Sequence, residues 1–129
     1  MEHSHRIGVD IVEVKRIRGI MERYPEFVRR VFTPSEIGYC DRFSDSARHY
    51  AARFAAKEAA FKALFDRARV LRFLDYEVDM ENGRPSLRIS GGTEEQLRGL
   101  DIEDISLSLS HERECAVAMV LISCGDDAR

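Results

Sequence analysis

The stretch Arg53-Phe54-Ala55-Ala56-Lys57-Glu58-Ala59-Ala60-Phe61-Lys62-Ala63-Leu64 decides the fold class. It is an alanine-rich helix former in a chain whose other strong patterns are strands. Glu58 and Lys62 stand one turn apart, which stacks a carboxylate and an ammonium on one helix face, about 5–6 Å apart at Cβ. That spacing allows a surface ion pair or a functional pair, and it does not choose between them. Extending backwards, the polar Ser44-Asp45-Ser46 starts this helix, and the pattern carries it to about Phe65.

Upstream, Ile7, Val9 and Ile11 alternate with Gly8, Asp10 and Val12, the period of a strand over residues 6–13. Asp10 is a carboxylate inside an apolar run, so something has to neutralise it. Backbone amides would do this structurally, and a hard metal ion would do it functionally. Helix signals cover Val14 to Tyr24 and stop at Pro25. Thr33-Pro34-Ser35-Glu36 is a capping box, with Thr33 as N-cap, Pro34 at the first helical position and Glu36 at the third. It predicts a short helix to about Phe43.

Downstream the chain turns to strands. Tyr76–Met80 and Ser86–Ile89 flank Glu81-Asn82-Gly83-Arg84, and Asn-Gly between alternating runs predicts a hairpin. Thr93-Glu94-Glu95-Gln96 repeats the capping pattern and predicts a helix towards Leu100. Two strands close the chain, Ile105–Ser110 and Cys115–Ile122. In the first, Ile105, Leu107 and Leu109 alternate with Ser106, Ser108 and Ser110, leaving a small polar face for close packing. The order predicts a single α+β domain over residues 1–129, with a mostly antiparallel sheet packed against one long helix and shorter ones.

At 129 residues a core is feasible without disulfides or structural metal. A third of the residues are charged, 44% are apolar and the net charge is −3, which excludes a globally basic nucleic-acid binder. The charge is uneven: residues 13–30 carry six basic against three acidic side chains, a local patch that suits an acidic partner. Cys40, Cys115 and Cys124 follow no metal spacing and suit reduced thiols in the cytoplasm. No apolar run reaches the ~20 residues that span a bilayer. No phosphate-binding glycine loop or dinucleotide fingerprint occurs, and Ser110 lacks the glycine-rich elbow of a nucleophile. His111, at a strand end, suits phosphate contact or proton transfer as well as a plain surface role. His3 and His5 fall near the terminus, where no order is expected.

Together these motifs resemble the holo-[acyl-carrier-protein] synthases, the small single-domain class of 4′-phosphopantetheinyl transferases. The resemblance runs through Gly8-Val9-Asp10-Ile11-Val12-Glu13, Phe32-Thr33-Pro34-Ser35-Glu36, Arg53-Phe54-Ala55-Ala56-Lys57-Glu58 with Lys62, Asn82-Gly83-Arg84-Pro85 and Ser108-Leu109-Ser110-His111. It implies transfer of the phosphopantetheine arm of coenzyme A to a serine of an acidic apo acyl carrier protein, with release of 3′,5′-ADP, in lipid metabolism. The resemblance places the reaction in fatty acid biosynthesis; the residues themselves leave a fatty-acid or a polyketide carrier open.

By the same resemblance Asp10 and Glu58 are Mg²⁺ ligands, and Lys62 adds charge at the reacting phosphate. The base is either Glu58 or a metal-bound water. At 100° per residue Arg53 lies about 140° around the helix from Glu58, too far to share a ligand easily. The family's homotrimer, with sites between subunits, resolves this. Arg53 and His111 then reach a coenzyme A nucleotide held by a neighbour, Arg48 assists at its 3′-phosphate, and Pro85 lies near the adenine. Arg16 and Arg23, seven apart on the basic helix, dock the carrier.

One departure stands out. The family commonly places a Gly-Thr-Gly-like turn after the long helix, whereas Phe65-Asp66-Arg67-Ala68-Arg69 follows Leu64 here. This replacement either continues the helix, shifts the loop or weakens coenzyme A binding. The tryptophan often found before the next strand is also absent, with Phe73 or Leu74 in its neighbourhood. A non-catalytic carrier-binding module is the alternative reading, and an unrelated metal-dependent phosphohydrolase shares only the carboxylates.

Overall fold

Strand β1 (Ser4–Glu13) lies antiparallel to β5 (Cys115–Cys124), and β5 pairs on its other edge with β4 (Ile102–His111), also antiparallel. The computed structural model describes residues 4–125. The long helix α4 (Ser46–Ala68) packs across one face of this three-stranded sheet. A second sheet is the hairpin of β2 (Tyr76–Glu81) and β3 (Arg84–Ile89). The sheets are therefore antiparallel throughout, as the alternating runs predicted, but there are two of them.

Why β1 lies so close to α4 is explained by Gly8. A Cβ at that position would collide with the carbonyl oxygen of Ala59 and stand 3.0 Å from the amide of Ala63. The alanines of α4 complete the fit: Ala55, Ala56, Ala59, Ala60 and Ala63 are buried against the sheet. Register then sorts the strand residues. Gly8, Asp10 and Val12 face α4, opposite Val120, Ala118 and Ala116 of β5. Ile7, Val9 and Ile11 point the other way and are 63%, 54% and 66% exposed.

The remaining elements brace α4. Helix α1 (Val14–Arg23) follows β1 directly and buries Val14 and Ile17. After α2 (Phe27–Val31), α3 (Pro34–Cys40) opens with the predicted capping box in full: Glu36 N donates to Thr33 Oγ1 and Thr33 N to Glu36 Oε1. Glu36 also does more than cap. Its buried carboxylate accepts from Val78 N at 2.6 Å and pairs with the equally buried Lys57 Nζ at 2.8 Å. Lys57 reaches the carbonyl oxygens of Phe73 and Tyr76 as well, so one ammonium ties α3 and α4 to β2.

Three expectations need correction. Thr93 is not an N-cap: it lies inside α5 (Gly91–Gln96), buried, with its amide and hydroxyl both donating to Asp75 Oδ2 at 3.0 and 2.8 Å. A carboxylate from the preceding 3₁₀ turn (Phe73–Asp75) thus takes the place of a local cap. Helix α4 ends at Ala68, three residues past the predicted Phe65, and Asp66 is fastened to Arg6 of β1 at 2.7 Å. The turn comes at Arg69, whose φ of 64° is left-handed, the conformation a glycine would adopt freely. Finally, His5 is ordered within β1, its Nδ1 3.4 Å from Ser123 Oγ; His3 lies outside the described residues. The Asn82-Gly83 turn is as expected, with φ of 52° and 78° at its two central residues.

Candidate active site

Two residues beyond Gly8 on the same face of β1, Asp10 lands beside the last third of α4. Lys62 Nζ donates to Asp10 Oδ1 at 2.9 Å and to the Val9 carbonyl at 3.2 Å. The other carboxylate oxygen, Asp10 Oδ2, is buried and has no hydrogen-bond partner. Glu58, one turn before Lys62, comes close enough to Asp10 to hydrogen-bond it when protonated. Its pKa is pushed up, first by burial and then by the charge of Asp10 and the hydrogen bond to it, while Arg16 and Lys62 pull it down. Two carboxylates thus compete for a single proton or a cation.

That donor set fits a hard divalent cation such as Mg²⁺. Oxygen ligands are right for it, an orphaned carboxylate oxygen is available, and Mg²⁺ typically takes one or two carboxylates and fills its shell from water and phosphate. Among the described residues no group of three or more His, Cys, Asp or Glu gathers as a metal site. Asp10 and Glu58 are therefore residues that could hold part of such a shell.

A second cluster forms at the other end of α4. Arg53 is 3% exposed, sits 4.3 Å above the ring of Tyr39, and among the described residues donates only to the His49 carbonyl, at 3.3 Å. Its Nε has no partner, and among the described residues no carboxylate pairs with it. A buried guanidinium left without an anion is costly unless a ligand brings one. Arg48 is similarly under-used: its buried Nε has no hydrogen-bond partner and lies 3.7 Å from Asp45 Oδ2, a long ion pair. His111, at the end of β4, has a buried Nδ1 with no partner. Burial lowers the pKa of His111, and Arg48 and Arg53 lower it further against the opposing pull of Asp45. Three cationic or neutral donors lie together here with Asp45 as their nearby carboxylate, an arrangement able to bind a further anion.

The two clusters do not meet within one copy. Asp10 is on β1 and His111 on β4, the opposite edges of a three-stranded sheet, hence about 9–10 Å apart across the strands. No hydrogen bond, ion pair or ring contact among the described residues joins Asp10, Glu58 or Lys62 to Arg48, Arg53 or His111. Pro85 belongs to neither cluster; it lines a cavity of about 370 Å³ with Asn82 and Arg84 of the hairpin and Ser106 of β4.

The basic helix connects to the carboxylate side. Arg16 lies 5.8 Å from the Phe54 ring centroid, and its charge reaches Glu58. Arg23 is exposed in the last turn of α1. Elsewhere in this stretch Arg18 pairs with Asp45 and Arg29 with Glu26. Sequence reading overlooked His49, which stacks on Phe43 and touches His111. The available signal was the interleaving of Tyr39, Phe43 and His49 with Arg42, Arg48 and Arg53.

Comparison with known proteins places this arrangement. Residues 6–120 match the sequence model of the 4'-phosphopantetheinyl transferase superfamily. A holo-[acyl-carrier-protein] synthase of Anaeromyxobacter sp. (strain K) is 45% identical over 120 residues, covering 90% of this chain and 93% of the relative. Among solved structures, a holo-(acyl-carrier-protein) synthase of Bacillus anthracis str. Ames in complex with CoA (3',5'-ADP) superposes with a TM-score of 0.75 at 32% identity, over 93% of this chain and 96% of that one. The Helicobacter pylori holo-[acyl-carrier-protein] synthase in complex with coenzyme A gives a TM-score of 0.77 at 33% identity, over 90% and 98%. A match over nearly the whole length, joined to a fold and a pair of charged clusters of this kind, leads to one conclusion: the chain belongs to the 4'-phosphopantetheinyl transferase superfamily, within its holo-[acyl-carrier-protein] synthase family.

Proposed function

We propose that this chain transfers the 4′-phosphopantetheine group of coenzyme A to a serine of an apo acyl carrier protein, giving holo carrier protein and 3′,5′-ADP. The observation that carries this reading is the half-buried Asp10 with its orphaned Oδ2, set beside Glu58 and Lys62. The relatives solved with coenzyme A support the choice of donor.

Asp10 and Glu58 are the residues that would hold Mg²⁺. When bound, the ion would neutralise pyrophosphate oxygens and stabilise the charge on the departing nucleotide. Lys62 adds a fixed positive charge at the reacting phosphate. The serine oxygen forms a bond to the pantetheine-side phosphorus, and the bond from that phosphorus to the bridging oxygen breaks. The electron pair leaves with 3′,5′-ADP. The serine proton needs an acceptor within reach, and the Glu58 carboxylate is the group assigned to take it.

Arg48, Arg53 and His111 are assigned to the nucleotide phosphates, and Pro85 to the adenine. Because no contact joins these groups to Asp10, Glu58 or Lys62 within one copy, the site is assigned to a boundary between copies of a homotrimer. An uncovered face supports this. Cross-strand rows Ile7–Leu121–Ser106, Val9–Met119–Ser108 and Ile11–Val117–Ser110 share the side of the sheet opposite α4. The large apolar members of that face are exposed in a single copy, and the serines beside them leave room for close approach. Arg16 and Arg23 are assigned to an acidic face of the carrier. Three free thiols support a cytoplasmic setting, and among the described residues no helix is long and apolar enough to cross a membrane.

The test is incubation with apo carrier protein, coenzyme A and Mg²⁺, read by the mass of the carrier. A gain of one phosphopantetheine, lost in folded Asp10→Ala and Glu58→Ala variants, is the expected result; no gain with several carriers overturns it. Calorimetry distinguishes the module reading that the altered segment 65–69 motivates: carrier binding without Mg²⁺-dependent coenzyme A binding would favour the module.

A further inference from the structure

Four aromatic rings form a ladder that ends at His111. Phe43, between α3 and α4, stacks face to face on His49 with centroids 3.7 Å apart and planes 15° apart. His49 meets His111 edge to face at 4.9 Å and 69°. Tyr39 supports the other end, 5.2 Å from Phe43 and 6.2 Å from His49. His49 is therefore gripped on one side and touches His111 on the other, while its carbonyl oxygen receives Arg53 Nη1 at 3.3 Å.

His111 lacks the anchor that a functional histidine usually has. The orientation of an imidazole is ordinarily fixed by a carbonyl or carboxylate on its second nitrogen. Here Nδ1 is buried and has no such partner. The ring's direction rests on packing, and the ring packed against it is His49.

We propose that His49 is a positioning residue that holds His111 in the orientation needed to meet an anionic nucleotide. The ligand in this statement rests on the transferase reading above; the geometry does not. A flat, uncharged ring suits the task. The groups facing His49 are His111, Arg53 and Arg48, which disfavour a cation there, and Asp45, which favours one. Burial is the largest influence, and together they take its pKa down to about 4, so the ring is neutral at physiological pH. It stacks without adding repulsion beside two arginines.

Two readouts on the full chain decide the matter. In the first, His49→Ala raises KM for coenzyme A about tenfold, the scale of a lost aromatic pair, with kcat within about twofold. His49→Phe, which keeps the ladder, rescues most of that loss. His49→Ala/His111→Ala together lose about no more than His111→Ala alone. In the second, an NMR titration of His111 in His49→Ala moves its pKa back up towards the ordinary imidazole value. Unchanged KM and an unchanged His111 titration overturn the proposal, as do additive losses or a failure of rescue by phenylalanine. Should His49→Ala not fold, Phe43→Leu removes the grip from the other side and is expected to raise KM in the same direction. If the wild-type protein neither binds nor consumes coenzyme A, the transferase reading fails, and the NMR titration still decides whether His49 positions His111.

Discussion

Lys62 makes its ion pair with Asp10, 52 residues away on β1, at 2.9 Å, instead of with Glu58 one turn back on its own helix. The helical spacing of Glu58 and Lys62 is thus not spent on a local salt bridge. One ammonium bridges helix and strand, and it leaves Asp10 Oδ2 without a hydrogen-bond partner beside the Glu58 carboxyl. Removing this ammonium has opposite consequences for metal and for chemistry. Lys62→Ala is expected to leave Mg²⁺ binding intact or tighter, since two carboxylates lose a competing cation. It is expected to lower kcat by about 10²–10³, the usual cost of deleting one group aimed at developing charge. Calorimetric Mg²⁺ titration with single-turnover kinetics separates the two; a variant with weaker metal binding and unchanged kcat would contradict this division of roles.

Gly8 sets where Asp10 can stand. Its missing side chain lets β1 approach the Ala59 carbonyl, and any Cβ there collides with backbone, which has no soft way to yield. Gly8→Ala is expected to destabilise by about 1–3 kcal/mol, as overpacking does. It should also reduce activity in the surviving folded fraction, because β1 must lift and carry Asp10 from Lys62. Urea unfolding measures the first effect, and the Mg²⁺ affinity of the folded variant the second.

Local chemistry accounts for what could be seen in the sequence. The alanine-rich helix, the capping box at Thr33 and the Asn82-Gly83 hairpin each depend on residues within a few positions, and each formed as expected. Long-range partners were not legible. Thr93 carries the same capping pattern as Thr33, but Asp75 claims its amide and hydroxyl from a separate turn. Likewise Ile7, Val9 and Ile11 alternate like core residues, yet in one copy the glycine and alanines opposite decide which face is buried. Asp10, Glu58 and Lys62 were singled out by chemistry, and the fold brought them together. His49 was overlooked because its significance lies in a ring 62 positions away, at the end of β4.

The pair Glu36–Lys57 is fully buried, and its members hold α3, α4 and β2 through four further hydrogen bonds to backbone. Lys57→Met is expected to cost about 3–5 kcal/mol, because a buried carboxylate is left without its cation. The double variant Glu36→Gln/Lys57→Met should lose less than the sum of the single losses. Chemical denaturation of all four proteins closes the cycle; strict additivity would mean that the two charges are not coupled.

Stability should depend on pH through His49 and His111. Both rings are harder to protonate in the folded protein, His49 falling from the ordinary 6.5 to about 4. Across that window the unfolded chain binds more protons than the folded one. Stability therefore rises with pH, is complete above about 6.5 and is lost as pH falls towards 4. Melting temperatures measured from acid to neutral pH should climb less steeply in His49→Phe than in the wild type. Parallel curves would show that His49 contributes nothing to the slope.

Assembly decides whether the two charged clusters work on one ligand. Val9 sits in the middle of the exposed sheet face, level with Met119 and Ser108. Val9→Glu adds a charge to each copy at a surface that a homotrimer would bury, so sedimentation should show trimer in the wild type and monomer in the variant. A monomeric wild type would contradict the assembly. Complementation then tests the sharing of sites. Asp10→Ala and Arg53→Ala should each be inactive alone, one lacking the proposed metal ligand and the other the arginine proposed for the nucleotide. In equal mixtures that exchange subunits freely, a site drawing Asp10 from one copy and Arg53 from its neighbour is intact in about a quarter of cases. Recovery of activity on mixing is the expected outcome, whereas no recovery would place both clusters on a single copy and contradict a site shared between neighbours.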